Sequence, residues 1–436
     1  MAAMAPAADR RRAVSAGLVA VAALVGAAVP SVWTAGHAFA VVPAPSASPS
    51  ARTVAGTGRA GFGGDGGPAR EARLDAPSAV ATDRSGDLFV ADTGNCRVRE
   101  VVARGGSAFG RPARPGAVIT VAGGPCRDPA DPPPAALAID QAGDLFVAYP
   151  TADRVAVLAA RSGTVLGTAV TAGHLFDVAG TGVAGYSGDG GPAARAELDY
   201  PSGLATDGAG DLFVSDTADC RVRMVAASPS ASPLAGDQPV VAGRILDVAG
   251  DGVCGSSGDG GPAGASELWD PGALAVDSSG DLLVADQGNR TVRALAPRAT
   301  VVFGTPVGAG DLATVAGEGS YGPYLSDGLP ADGQTGELNF PAGLALDADG
   351  NLLVADGESH VVRAVVGPSG RLDGRSATPG SMVTVAGATS TDAGHTTTSW
   401  VRTTMRDPTG IVVTRSGAVV FADRDGEVVR ELPAAG

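Results

Sequence analysis

The stretch Pro201-Ser202-Gly203-Leu204-Ala205-Thr206-Asp207-Gly208-Ala209-Gly210-Asp211-Leu212-Phe213-Val214-Ser215-Asp216 reads as two β-strands around one tight turn. In Asp207-x-x-Gly210 the Asp side chain bonds its own backbone, and Gly supplies positive φ. Asp211-Leu212-Phe213-Val214 is apolar on both faces, as a strand sandwiched between two neighbouring sheets has to be. The same pattern returns at Pro77–Asp92, Pro271–Asp286 and Pro341–Asp356, and more loosely at Pro134–Tyr149 and Pro408–Asp423. The turn glycines Gly86, Gly143, Gly210, Gly280, Gly350 and Gly417 are spaced by 57, 67, 70, 70 and 67 residues. The chain therefore holds six copies, and we find no seventh.

Working outward, each copy adds a third strand of the Arg221-Val222-Arg223-Met224-Val225 type and a fourth of the Leu246-Asp247-Val248-Ala249-Gly250 type. Four strands per repeat with turns between them describe a propeller blade, whereas solenoid repeats are shorter. The expected fold class is all-β, a six-bladed β-propeller with four-stranded blades. Arg52–Gly56 reads as a fourth strand with no blade before it, and Val428–Leu432 as a third strand with no fourth after it. Residues 52–55 are thus expected to complete the sixth blade, which removes the last open sheet edge.

Val178-Ala179-Gly180-Thr181-Gly182-Val183-Ala184-Gly185-Tyr186-Ser187-Gly188-Asp189-Gly190-Gly191-Pro192-Ala193, with Pro201–Asp207 and Ser215-Asp216-Thr217 after it, resembles the NHL repeat of secreted and membrane-tethered bacterial propellers. The resemblance runs over about residues 52–432. It implies a six-bladed recognition or scaffolding module; similar propellers form the sensor part of some receptor kinases, and a minority of relatives are lyases or lactonases. A kinase signature needs a paired lysine, and this chain has no lysine.

Of the 436 residues, 65 are Gly and 31 Pro, about 22 percent together, below the roughly 25–30 percent of low-complexity disorder. All 31 basic residues are Arg, against 46 acids, for a net charge of −15. An acidic chain repels phosphate backbones, so nucleic acid is excluded as partner. Aromatic residues at 4 percent offer few stacking platforms.

At the N-terminus, Arg10-Arg11-Arg12, the apolar run Ala13–Trp33 and Ala38-Phe39-Ala40 make residues 1–40 a signal peptide, with a membrane tether through the same segment as the alternative. Residues 41–51 are a Pro/Ala/Ser spacer and 52–433 the propeller. The protein is expected to be secreted or held at the cell surface. Cys96 and Cys220 share one position, the start of the third strand, while Cys126 and Cys254 each follow a fourth strand. Those places adjoin in an antiparallel sheet, so disulfides Cys96–Cys126 and Cys220–Cys254 are expected; a cysteine metal site would need closer ligand spacing.

Two sets of carboxylates are candidate binding residues. Asp65, Asp189 and Asp259 lie in Gly-Asp-Gly-Gly-Pro-Ala loops between fourth and first strands, and Asp92, Asp216, Asp286, Asp356 and Asp423 end second strands, with Tyr149 in the second copy. Both sets belong to one face and would present acids to Ca²⁺, a basic peptide or another cationic group. The framework reading has the loop Asp capping the following turn and the strand-end Asp paired with Arg97, Arg154 or Arg221. His174, His360 and His395 occupy different contexts, and no catalytic set emerges. The expected function is binding of a protein, peptide or small molecule without a resident cofactor; the alternative is a metal-dependent lyase or hydrolase using the central channel.

Overall fold

The computed structural model describes residues 51–434 apart from 107–108, 128–130, 230–233, 235–239, 321–326, 332–335 and 388–402. The expected signal peptide, nearly all of the spacer and His395 lie outside the described residues.

Six antiparallel sheets of four strands form the blades of a propeller, blade four adding the two-residue strand Gly261–Pro262 at its outer edge. Blade three consists of Pro201–Thr206, Leu212–Asp216, Arg221–Val225 and Ile245–Ala249, in that order from the centre outward. In blade six, Pro408–Val413, Val419–Asp423 and Val428–Leu432 are joined by Arg52–Ala55 as outermost strand. There Arg52 pairs with Glu431 and Ala55 with Val429, and Arg52 reaches the Glu431 carboxylate at 2.5 Å. The ring is closed as expected, by a strand from one end of the fold on strands from the other.

The residues explain why the blades sit together. Second strands such as Leu88–Asp92 and Leu212–Asp216 are buried along their whole length. Phe89, Phe146 and Phe213 take the same place in three of them, Phe421 stands one position further along in blade six, and all four are fully buried. Six apolar clusters result, one at each seam between neighbouring blades. Burying one such Phe contributes roughly 1.5–3 kcal/mol. Near the axis the innermost strands come so close that only small residues fit: a Cβ on Gly203 would stand 1.9 Å from the Gly272 carbonyl oxygen of the next blade.

Between third and outer strands, blades two, four and five carry small hairpins, at 163–170, 300–307 and 371–376. Leu166 and Phe303, at the tips of the first two, are buried. Clefts of about 200 and 180 Å³ lie beside these tips, the first against Pro192 and Gly243 and the second against Pro330 and Gly380.

Candidate binding face

The glycine loops and the ends of the second strands do share one face, because one arginine in each of blades one, three and four bridges them. Arg99 is fully buried and lies 3.1 Å from Asp92 Oδ2 and 2.6 Å from Asp65 Oδ1. Arg223 repeats the arrangement with Asp216 at 3.6 Å and Asp189 at 3.8 Å, and Arg293 with Asp286 at 3.7 Å and Asp259 at 3.3 Å. Arg363 reaches Asp327 at 3.5 Å, and Arg430 reaches Asp423 at 2.8 Å. Backbone carbonyls take more of the guanidinium: Arg99 donates to Gly63 and Arg73, and Arg223 to Ser187 and Glu197.

This corrects the sequence reading of the arginine partners. Arg97, Arg154 and Arg221 do not pair with the strand-end carboxylates. Arg154 pairs with Asp177, Arg221 pairs with Asp247, and Arg97 stacks on Phe62 with its guanidinium 4.0 Å from the ring centre. Arg97 and Arg99 stand on the same side of one strand, so alternation cannot choose between them, and the side chain directly opposite Asp92 in register is the wrong one. A legible signal existed: Asp92/Arg99, Asp216/Arg223, Asp286/Arg293, Asp356/Arg363 and Asp423/Arg430 are all seven residues apart. In blade two both members are gone, with Tyr149 and Ala156 at the same spacing.

Asp92, Asp216, Asp286, Asp356 and Asp423 are fully buried. Each accepts a backbone N–H from the segment entering its own blade, for example Asp75 N–H to Asp92 and Trp269 N–H to Asp286, both at 2.7 Å. A dissolved ligand does not reach them. Burial is the main influence on their acidity: it raises Asp92 above the usual carboxylate range, Asp286 to about 6 and Asp216 to about 8, although Arg99, Arg293 and Arg223 pull the other way.

The loop carboxylates also behave differently from a turn cap. Pro68, Pro192 and Pro262 precede short 3-10 turns, and no side chain caps them. Asp189 instead accepts the Asp247 N–H, Asp259 the Thr314 N–H and Asp327 the Thr384 N–H, at 2.6–2.8 Å. These amides lie where the outer strand bulges and loses a ladder partner, so the loop folds back over its own blade to satisfy them. Asp65, Asp189 and Asp259 stay partly exposed, at 36, 31 and 49 percent. Among the described residues no three His, Cys, Asp or Glu side chains gather in metal-holding geometry.

Both expected disulfides are present, with Cα–Cα distances of 5.2 Å for Cys96–Cys126 and 5.3 Å for Cys220–Cys254. Each ties a third-strand corner to the connection leading into the next blade. That corner is left-handed in all six blades, at Cys96, Asp153, Cys220, Arg290, His360 and Glu427. At two of the four corners without cysteine, Asp153 accepts the Tyr200 N–H and Glu427 the Ala76 N–H, serving the same seam by hydrogen bond.

Composition undervalued the aromatic residues. The exposed ones among the described residues are Phe62, Tyr186, Tyr200 and Trp269, and all four stand on the glycine-loop face. Tyr186 lies 4.3 Å from the Arg221 guanidinium and donates its hydroxyl to Asp247 at 2.5 Å. Val183 and Val253 are exposed beside them. In the connection 250–270 the charged residues are Asp251, Asp259, Glu267 and Asp270, with no basic residue.

Residues 338–364, the entry and first three strands of blade five, match the NHL repeat family. The chain is a six-bladed β-propeller carrying an NHL repeat. No curated protein matches its sequence. Among solved structures, a Bacteroides thetaiotaomicron protein of unknown function is 15% identical, with a TM-score of 0.55 over 88% of this chain and 75% of that one. Two propellers described as auxiliary nutrient binding proteins are similar in fold. The one from Bacteroides thetaiotaomicron is 11% identical, with a TM-score of 0.54 over 88% and 76% of the two chains. The one from Bacteroides ovatus is 13% identical, with a TM-score of 0.52 over 87% and 75%.

Proposed function

We propose that this NHL-repeat propeller is an exported recognition module whose glycine-loop face, over blades three and four, takes a cationic and partly apolar ligand. One observation carries the reading: every exposed aromatic ring among the described residues stands on this face. A cation held over an aromatic ring and flanked by carboxylates gains about 0.5–2 kcal/mol from the ring alone. Asp251, Asp259 and Asp270, exposed in the same connection as Trp269, supply negative charge, and the neighbours described as nutrient binding proteins support a binding role. The two disulfides and the N-terminal sequence support export.

Titration of the purified protein with a hexa-arginine peptide, read by Trp269 fluorescence and by calorimetry, tests the reading. Binding is expected, weakening with salt and falling about tenfold or more in Trp269→Ala and Tyr186→Ala with little change in thermal stability. Binding unchanged in both variants, or equal binding of hexa-glutamate, would overturn it.

A further inference from the structure

The corner between second and third strands is a 3-10 turn, and in blades one and four its last residue is Asn. Asn95 donates from Nδ2 to both carboxylate oxygens of Asp92 at 2.9 Å and to the Gly61 carbonyl at 3.0 Å. Asn289 donates to Asp286 Oδ2 at 2.8 Å and to the Gly255 carbonyl at 2.7 Å. Blade three places Asp219 at this position, on a turn of the same shape. The residues before and after it sit at φ −87°, ψ 75° and φ 53°, ψ 41°, against φ −87°, ψ 71° and φ 54°, ψ 40° in blade one.

An ionised carboxylate is acceptor-only, so the bond that Asn supplies elsewhere has no donor here. Asp216 Oδ2 and Asp219 Oδ2 are both buried atoms without a hydrogen-bond partner. Asp216 is itself fully buried, and its Oδ1 is taken by the Asp199 N–H at 2.7 Å. The charged groups facing the pair are Asp199 from the entering segment, Arg223 and Arg221 from the third strand, and Asp247 from the outer strand. Arg223 is divided: Nη1 stands 3.6 Å from Asp216, Nε 3.0 Å from Asp247 and Nη2 3.8 Å from Asp189.

The geometry points to a proton-binding site: Asp216 and Asp219 share one proton at neutral pH, held between their free oxygens where blades one and four place an Asn amide. Two ionised carboxylates in this position would repel across two buried oxygens, with the divided Arg223, and for Asp219 also Arg221, to offset them. Burial raises both groups above their usual range, with Asp219 and Asp199 adding to the cost of charging Asp216, and Asp199 and Asp247 to that of Asp219. Their folded-state values lie above the unfolded value of about 4. The proton's contribution to stability is therefore complete below about pH 4 and is lost as pH rises through the folded values. Losing the proton draws Arg223 toward Asp216 and away from Asp247 and Asp189, which loosens the loop carrying Tyr186. The site stands independently of the ligand proposed above.

Thermal unfolding of the full protein between pH 6 and 9, for wild type, Asp219→Asn and Asn289→Asp, tests it. Wild type is expected to lose about 2–4 °C more than Asp219→Asn over this range, and Asn289→Asp to acquire a new alkaline decline. Carboxyl ¹³C NMR of the wild type supplies a reading that needs no variant to fold: one carboxyl of the pair is expected to titrate above pH 6. Parallel declines in wild type and Asp219→Asn, or titration of both carboxyls below pH 5, would overturn the proposal.

Discussion

Replacing Arg99 with Met keeps much of the volume and removes the charge that bridges Asp92 and Asp65. In the folded protein the Arg99 and Asp92 side chains are both 0% exposed, whereas Asp65 at 36% can rehydrate. Breaking a buried pair by removing one partner costs about 3–5 kcal/mol, because the remaining charge stays buried. Asp92 would keep the Asp75 N–H and the Asn95 amide, while the Gly63 and Arg73 carbonyls lose a donor. A loss of about 4 kcal/mol at pH 7 is expected. The double variant Asp92→Asn/Arg99→Met should recover about 2 kcal/mol of that, since Asn still accepts the Asp75 N–H and leaves no buried charge. Blade two is the precedent, having exchanged both members for Tyr149 and Ala156, which are buried. Because Asp92 is already raised by burial and loses a cation in Arg99→Met, its folded-state value climbs further above the unfolded one. The single variant should therefore regain stability as pH falls from 8 to 5. Urea unfolding of the disulfide-intact protein at both pH values measures all of this. A single-variant cost under about 1 kcal/mol, or a double-variant cost equal to the sum of the singles, would refute the reasoning.

Removing residues up to Ala55 uncovers the Val428–Leu432 strand and deprives a seam cluster of Ala55 and Val54; scanning calorimetry and light scattering should show a lower, less cooperative transition and concentration-dependent association. Reducing the disulfides, which close loops of 30 and 34 residues, should cost about 3–4 kcal/mol each by the chain-entropy estimate. Paired Cys→Ser variants compared by urea unfolding check the size, and a pair that loses nothing would show that the seams hold without it.

The blade count, the closing strand and both disulfides were legible from sequence because each is written in local chemistry. Asp-x-x-Gly makes the same Asx turn wherever it stands, as Asp83 shows by accepting the Ser85 and Asp87 N–H groups at 2.8 Å. An unmatched fourth strand at one end and an unmatched third at the other have one way to pair. The carboxylate roles were legible only in part. Asp65, Asp189 and Asp259 were placed on the right face, but their partners sit on an outer strand about 55–58 residues later in the chain, at a bulge that local pattern does not announce.

What the amino-acid order determined by itself is periodic: strand alternation, turn type and the repeat that sets six blades. Packing alone decided depth. Arg97 and Arg99 look equivalent in sequence, yet one lies half-buried against Phe62 and the other is sealed between two carboxylates. The same holds for the aromatic residues, few in number, which the closed ring gathers onto one surface. Solvent exposure is a property of the assembled blades, since burial is counted against neighbours that arrive from sixty or more residues away.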